Sequence, residues 1–127
     1  MNVYQQRLET LETPFVSDVV LHRGDGEALS NVPRSVIFHS PDGFEWGYNG
    51  SGPADLALNI INAFVPPGWD KLDPVKCYKG EVSFTAFILH QEFKREFIEV
   101  LPKDGGIIKR FIILDWIKAR KVSEKPF

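Results

Sequence analysis

A chain of 127 residues, 43% hydrophobic and 25% charged, has the size and balance of one ordinary globular domain, which excludes global disorder. No apolar run approaches the roughly 18 residues that span a bilayer, and a basic-then-apolar signal pattern is missing from the first residues. Cys77 stands alone, so an internal disulfide is impossible and a reducing cytoplasm is the expected setting. Residues 1–75 carry 4 Lys/Arg against 10 Asp/Glu, a net of −6, whereas residues 76–127 carry 11 against 7, a net of +4. In the basic half Glu92, Glu96, Glu99 and Asp115 alternate with the cations and no arginine-rich run occurs. A solvated helix surface is therefore expected there, and nucleic-acid binding is disfavoured.

The expected fold class is α+β: a small, mostly antiparallel sheet from the first half, packed on a buried central helix and two C-terminal helices. One domain is expected over 1–127, with 1–13 and 122–127 as loose termini. Tyr4, Leu8 and Leu11 sketch a short helical stripe that Thr13-Pro14 limits. The Val-rich run from Phe15 to Leu21 predicts a strand. Arg23-Gly24-Asp25-Gly26 reads as a turn, and residues 28–34, interrupted by Pro33, as irregular. Ser35-Val36-Ile37-Phe38 predicts a second strand, antiparallel to the first. Pro41-Asp42-Gly43 is a turn tripeptide. Phe44, Trp46 and Tyr48 then alternate, which predicts a third strand with all three on one face.

A glycine-rich bend, Gly47 to Gly52, leads to Pro53, which suits the first turn of a helix. The pattern predicts a helix over 53–64 with Gly52 or Ser51 as its cap and Asp55 in its first turn, near the positive helix end. Its apolar residues cover most of the circumference and leave only Asn59 and Asn62 polar, so it is expected to be central and buried. Pro66-Pro67-Gly68 ends it, and residues 65–80 connect. A second helix is expected between Ser83 and Leu101, with Ala86, Leu89, Phe93, Phe97 and Val100 inward and Lys94 away from that line. Ile107-Ile108 reads as a short edge strand. Residues 110–120 read as a third helix with Phe111, Leu114 and Ile117 inward and Trp116 beside them, a strand over 107–114 being the competing reading.

No strong catalytic constellation emerges. His39, Asp42 and Glu45 are spaced three apart and are candidates for an acid–base or metal cluster, but on a turn and strand that spacing does not converge side chains. His39 bonding the turn backbone is the favoured reading, and neither a metal nor a cofactor is expected. Glu45 must meet water, a cation or a ligand, because a buried unpaired carboxylate is too costly. The glycine loop at a helix N-terminus is an arrangement that binds anions. Against that, Pro53 removes one donor, Asp55 repels an anion, and no Walker or dinucleotide spacing is present. Cys77 is read as inert.

The run from His39 to Leu58, H-S-P-D-G-F-E-W-G-Y-N-G-S-G-P-A-D-L-A-L, resembles the signature of a small, poorly characterised domain family of bacteria, archaea and their phages. Asn49 occupies a slot where that pattern favours glycine. Phe93-Lys94, Leu101-Pro102 and Trp116 match its later features, so the resemblance runs over about 36–120. It brings no catalytic residues with it. It implies a phage or mobile-element setting, in which small proteins often inhibit host defence. The expected function is therefore a non-enzymatic protein-binding role of that kind, with His39, Asp42, Glu45, Tyr48, Asn49, Gly50 and Ser51 as candidate contacts. The alternatives are a nucleotide or anion binder using Gly47–Gly52 with Glu45 and Tyr48 beside it, and a hydrolase using His39 and Glu45. Oligomeric state is left open.

Overall fold

The structure, a computed structural model, describes residues 13–120. The expectations for 1–12 and 121–127 lie outside the described residues. The fold is α+β, and its order is β1 (Val19–Gly24), β2 (Glu27–Ser30), α1 (Ser51–Phe64), β3 (Val75–Lys76), β4 (Glu81–Val82), α2 (Phe84–Phe93), β5 (Gly105–Ile108) and α3 (Arg110–Arg120). Residues Lys94–Ile98 continue α2 as a π-helical turn.

Three strands form an antiparallel sheet in the order β2-β1-β5, and β3 and β4 form a separate two-stranded pair. The predicted turn at 23–26 closes the β1–β2 hairpin: Gly24 pairs with Glu27, and both loop residues, Asp25 and Gly26, have positive φ. Two such residues match the right-handed twist of the flanking strands, and aspartate and glycine are the residues that tolerate it. On the other side of β1, Val19 pairs with Ile108 and Val20 with Ile107. Ile107-Ile108 is thus part of an edge strand, as expected, and residues 110–120 are helical.

Helix α1 is the centre of the fold. From Gly52 to Phe64 it is buried at every position except the half-buried Ala63. It starts at Ser51, two residues earlier than predicted, and its cap is Gly50, which offers no side chain to the helix end. Leu56, Leu58, Ile60, Ile61 and Phe64 join Val19 and Leu21 of the sheet, Trp46, Phe93 and Ile98, and Ile113, Leu114 and Ile117 of α3 in one apolar core.

Two predicted strands are absent, for a definite physical reason in each case. Ser35–Phe38 does not pair with β1, because side chains of α1 take its N–H groups. Asn59 Oδ1 accepts from Ser35 and Val36 at 2.8 and 3.1 Å, and Asn59 Nδ2 donates to Val36 O at 3.1 Å. Only Ile37 makes a β-like contact, exchanging two hydrogen bonds with Lys79. Conversely, residues 28–30, expected to be irregular, join Glu27 in the strand that β1 needs.

The run Phe44–Tyr48 is not a strand either. Gly47 turns the chain at φ +88° and its N–H goes to Ile98 O at 2.9 Å. The three aromatics consequently separate: Trp46 is buried, Phe44 is half-buried, and Tyr48 is 50% exposed.

The third departure lies in α2. Its predicted inward line holds for Ala86, Leu89 and Phe93, Phe97 packs half-buried against the core, and the line fails at Val100. Glu99 N–H reaches back to Lys94 O at 2.9 Å, a wider turn that takes one extra residue. The helix phase slips by that residue, so Ile98 is buried and Val100 is 70% exposed, while Lys94, expected outside, is buried. In α3, Leu114, Ile117 and Trp116 are buried as expected and Ile113 joins them, but Phe111 is 60% exposed.

Candidate functional site

The motif residues fall into two clusters on either side of the start of α1. Asp55 organises the first. It was expected near the helix N-terminus, yet it sits a turn further in, wholly buried. Its two oxygens accept N–H bonds from Phe38 at 3.2 Å, His39 at 2.8 Å and Ser40 at 2.9 Å. A buried carboxylate is tolerable only when its lone pairs are met, and three successive amides meet them. Arg34 holds the same loop from outside, donating to Ser40 O and Pro41 O at 3.0 and 2.8 Å.

The clamp aims His39 at α2. Its Nε2 lies 3.0 Å from Nε2 of His90, and Nδ1 of His90 donates to Phe87 O at 2.7 Å. The ring of His39 therefore bonds another histidine and not the turn backbone, contrary to expectation. Burial pushes the pKa of His90 down to about 4 and lowers that of His39 as well. Burial thus favours the neutral form of both rings. Phe38 and Tyr78, 38% and 84% exposed, flank this loop. With Ile37, His39 and Pro41 they line an open groove of about 280 Å³.

The second cluster surrounds Glu45. Its carboxylate receives Nη1 and Nη2 of Arg23 at 3.2 and 2.9 Å, a two-pronged pair that raises the guanidinium pKa. Arg23 also donates Nε to Lys103 O at 3.1 Å and lies 4.7 Å over the ring of Trp46, whose Nε1 bonds the same carbonyl at 3.0 Å. Arg23, Glu45, Trp46, Gly47, Tyr48 and Lys103 line an open cleft of about 670 Å³. Gly52 packs beneath: a Cβ there would come 2.9 Å from Cβ of Glu45.

The candidate cluster His39, Asp42, Glu45 thus divides. His39 bonds His90, Glu45 bonds Arg23, and Asp42 is exposed on its turn. Asn49 accepts from Lys94 Nζ at 2.7 Å, and Lys94 is 3.4 Å from Glu99. In the glycine loop, the N–H of Gly47 is spent on Ile98, the ring of Tyr48 covers Gly50, and the stem of Glu45 covers Gly52. Gly47, Tyr48, Asn49 and Ser51 of this turn are exposed. Among the described residues, no group of three or more His, Cys, Asp or Glu side chains converges as a metal site, and no helix is long and apolar enough to cross a membrane. Burial raises the pKa of the Cys77 thiol, which disfavours a reactive thiolate.

His90, Arg23, Lys103 and Tyr78 escaped the sequence reading, being remote from the motif that they complete. Asp55 did carry a signal: a charge on a helix apolar all round must have buried partners.

No curated protein and no solved structure matches this chain. A family model, described as "Family of unknown function (DUF6166)", matches residues 8–71, a span that holds the whole run from His39 to Leu58 but ends short of the later features that the resemblance included. The chain belongs to this family of unknown function.

Proposed function

We propose that the chain is a non-enzymatic binding protein that acts by occupying a protein partner at the groove beside Phe38 and Tyr78. The observation that carries this reading is Tyr78, a large aromatic held almost fully in solvent on an ordered turn. Its neighbours are pinned: Cys77 N–H bonds Gly80 O at 2.9 Å, and Lys79 exchanges two hydrogen bonds with Ile37. A rigid exposed tyrosine beside a small apolar groove supports docking of an aliphatic or aromatic side chain, because tyrosines dominate interface energetics and preordering lowers the entropy cost. The motif's resemblance to a family spread among bacteria, archaea and phages supports a narrower version. In it, the chain serves a phage or mobile element in a host cytoplasm and blocks a component of host defence.

The test compares wild type with Tyr78→Ala by co-purification from host cells and by assay against a panel of defence systems. A protein should co-purify in fixed ratio with the wild type and disappear with the variant, and one defence system should be silenced only by the wild type. The variant should melt with the wild type, within about 0.5 kcal/mol, since the side chain is exposed. A lone chain without effect on any defence system sinks the reading.

A second reading is supported by the other cleft, where Arg23, Lys103, Trp46 and Tyr48 surround an open volume. The exposed ring of Tyr48 and the cations Arg23 and Lys103 suit a small anionic aromatic ligand such as a nucleotide. In this reading the ligand lies beside the glycine loop and not within it. A thermal-shift screen with nucleotides at millimolar concentration separates the two readings.

A further inference from the structure

We infer that His39 and His90 form a site for a single borderline divalent transition ion such as zinc, reached through the groove beside Phe38. The inference does not depend on what occupies that groove.

Phe87 O can only accept, so the 2.7 Å bond from His90 places the proton on Nδ1 and leaves a lone pair on Nε2. A backbone carbonyl behind the outer ring nitrogen is the arrangement that supports metal-bound imidazoles. That lone pair is crowded, with Nε2 of His39 at 3.0 Å and the side-chain amide of Gln91 at 3.4 Å. Without an ion, His39 holds its proton on Nε2 and donates it to His90. With an ion, His39 takes the other tautomer, with its proton on Nδ1, and both Nε2 lone pairs face the metal. No proton is released in the exchange.

The spacing fits. A tetrahedral ion about 2.0–2.1 Å from each Nε2 separates the nitrogens by about 3.3 Å and the ring centres by about 5.2 Å. The nitrogens are 3.0 Å apart and the ring centres 5.2 Å. A tilt of the rings about fixed centres therefore admits the ion. His39 is preordered, since its own N–H is bonded to Asp55 at 2.8 Å. Rotation of the Gln91 amide offers a third, oxygen donor, and the groove that His39 lines admits water to complete the shell. Imidazole donors select zinc and its transition-metal neighbours over calcium and magnesium, which require oxygen ligands. The charged groups that act on the pair are Asp55, which favours a cation, and Lys94, which opposes it. The opposition is blunted, because Lys94 is itself paired with Glu99.

The test is titration of the full, metal-stripped chain with zinc by calorimetry and with cobalt by visible absorption. Wild type should take up one ion per chain, and His39→Ala, a half-buried position, should weaken uptake at least tenfold. Because His90 is buried and its replacement threatens folding, the second measurement uses the wild type alone. On adding zinc, the ¹⁵N resonances of both Nε2 atoms should move to metal-bound positions, while Nδ1 of His90 stays protonated and Nδ1 of His39 gains its proton. Unmoved histidine resonances, or zinc uptake by His39→Ala equal to that of the wild type, would overturn the assignment.

Discussion

Two carboxylates ten residues apart in one motif are handled in opposite ways. Asp55 lies wholly inside the protein and is satisfied by three backbone amides of a neighbouring loop. Glu45 is about one-third exposed and faces a guanidinium across a two-pronged ion pair. The first replaces a missing β-ladder; the second closes a surface cluster that water can also solvate. The difference teaches that the motif builds with its buried charge and decorates with its exposed one. The largest mutational effects should therefore come from the residue that looks least like a site.

Asp55→Ala is the strongest way to break this comparison. It leaves three N–H groups at 38–40 facing an apolar helix, each unmet buried donor costing about 1–3 kcal/mol. Three such donors together cost several kcal/mol. Chemical denaturation should show a loss of that size, and amide exchange at Phe38, His39 and Ser40 should accelerate most. Asp55→Asn keeps one acceptor oxygen and should lose less. If Asp55→Ala costs no more than a surface substitution, the clamp is not what orders the loop.

Gly52→Ala sharpens the comparison at the point where the two clusters share a wall. The added Cβ would stand 2.9 Å from Cβ and 3.3 Å from Cγ of Glu45. Overpacking of this kind costs about 1–3 kcal/mol. Two of the three nearest atoms belong to the Glu45 side chain and the third is its backbone N, also at 3.3 Å, so Glu45→Gly should recover part of the loss, giving a non-additive double-mutant cycle. Additive penalties would mean that the strain at position 52 has another source.

The sequence made much of this legible, and the remainder was hidden for physical reasons. The buried helix 51–64 was readable from an apolar surface that runs all round it, and the hairpin turn from Asp25-Gly26. The partner of β1 was not, because Ser35–Phe38 has strand-like residues whose N–H groups go to Asn59 and Asp55. Side-chain acceptors from a helix leave no periodic trace in the segment that they satisfy. Val100 was misplaced because the wider turn at Lys94–Ile98 shifts the helix phase, and no residue there carries a helix-breaking preference that would announce it. In the candidate site, His39 and Glu45 were visible, but their true partners, His90 and Arg23, lie 51 and 22 positions away. Spacing rules work over a turn of helix or a few strand residues and are silent at such range.

Glu45→Gln should have the smallest effect of the three, and it tests the exposed half of the comparison. Glutamine preserves the stem that packs on Gly52 and retains one oxygen for Arg23, so only the charge is lost. Pairs this exposed are screened by water and contribute little. Arg23 also keeps its bond to Lys103 O and its place over Trp46, so the cluster does not fall apart. The melting temperature should drop slightly at low ionic strength, and the difference from wild type should vanish in salt near 1 M, where charges are screened within about 3 Å. Asp55→Ala should show no such salt rescue, because its lost bonds are buried and lead to neutral amides. A salt-independent loss at Glu45 as large as that at Asp55 would erase the distinction between the two carboxylates and make the surface cluster part of the framework.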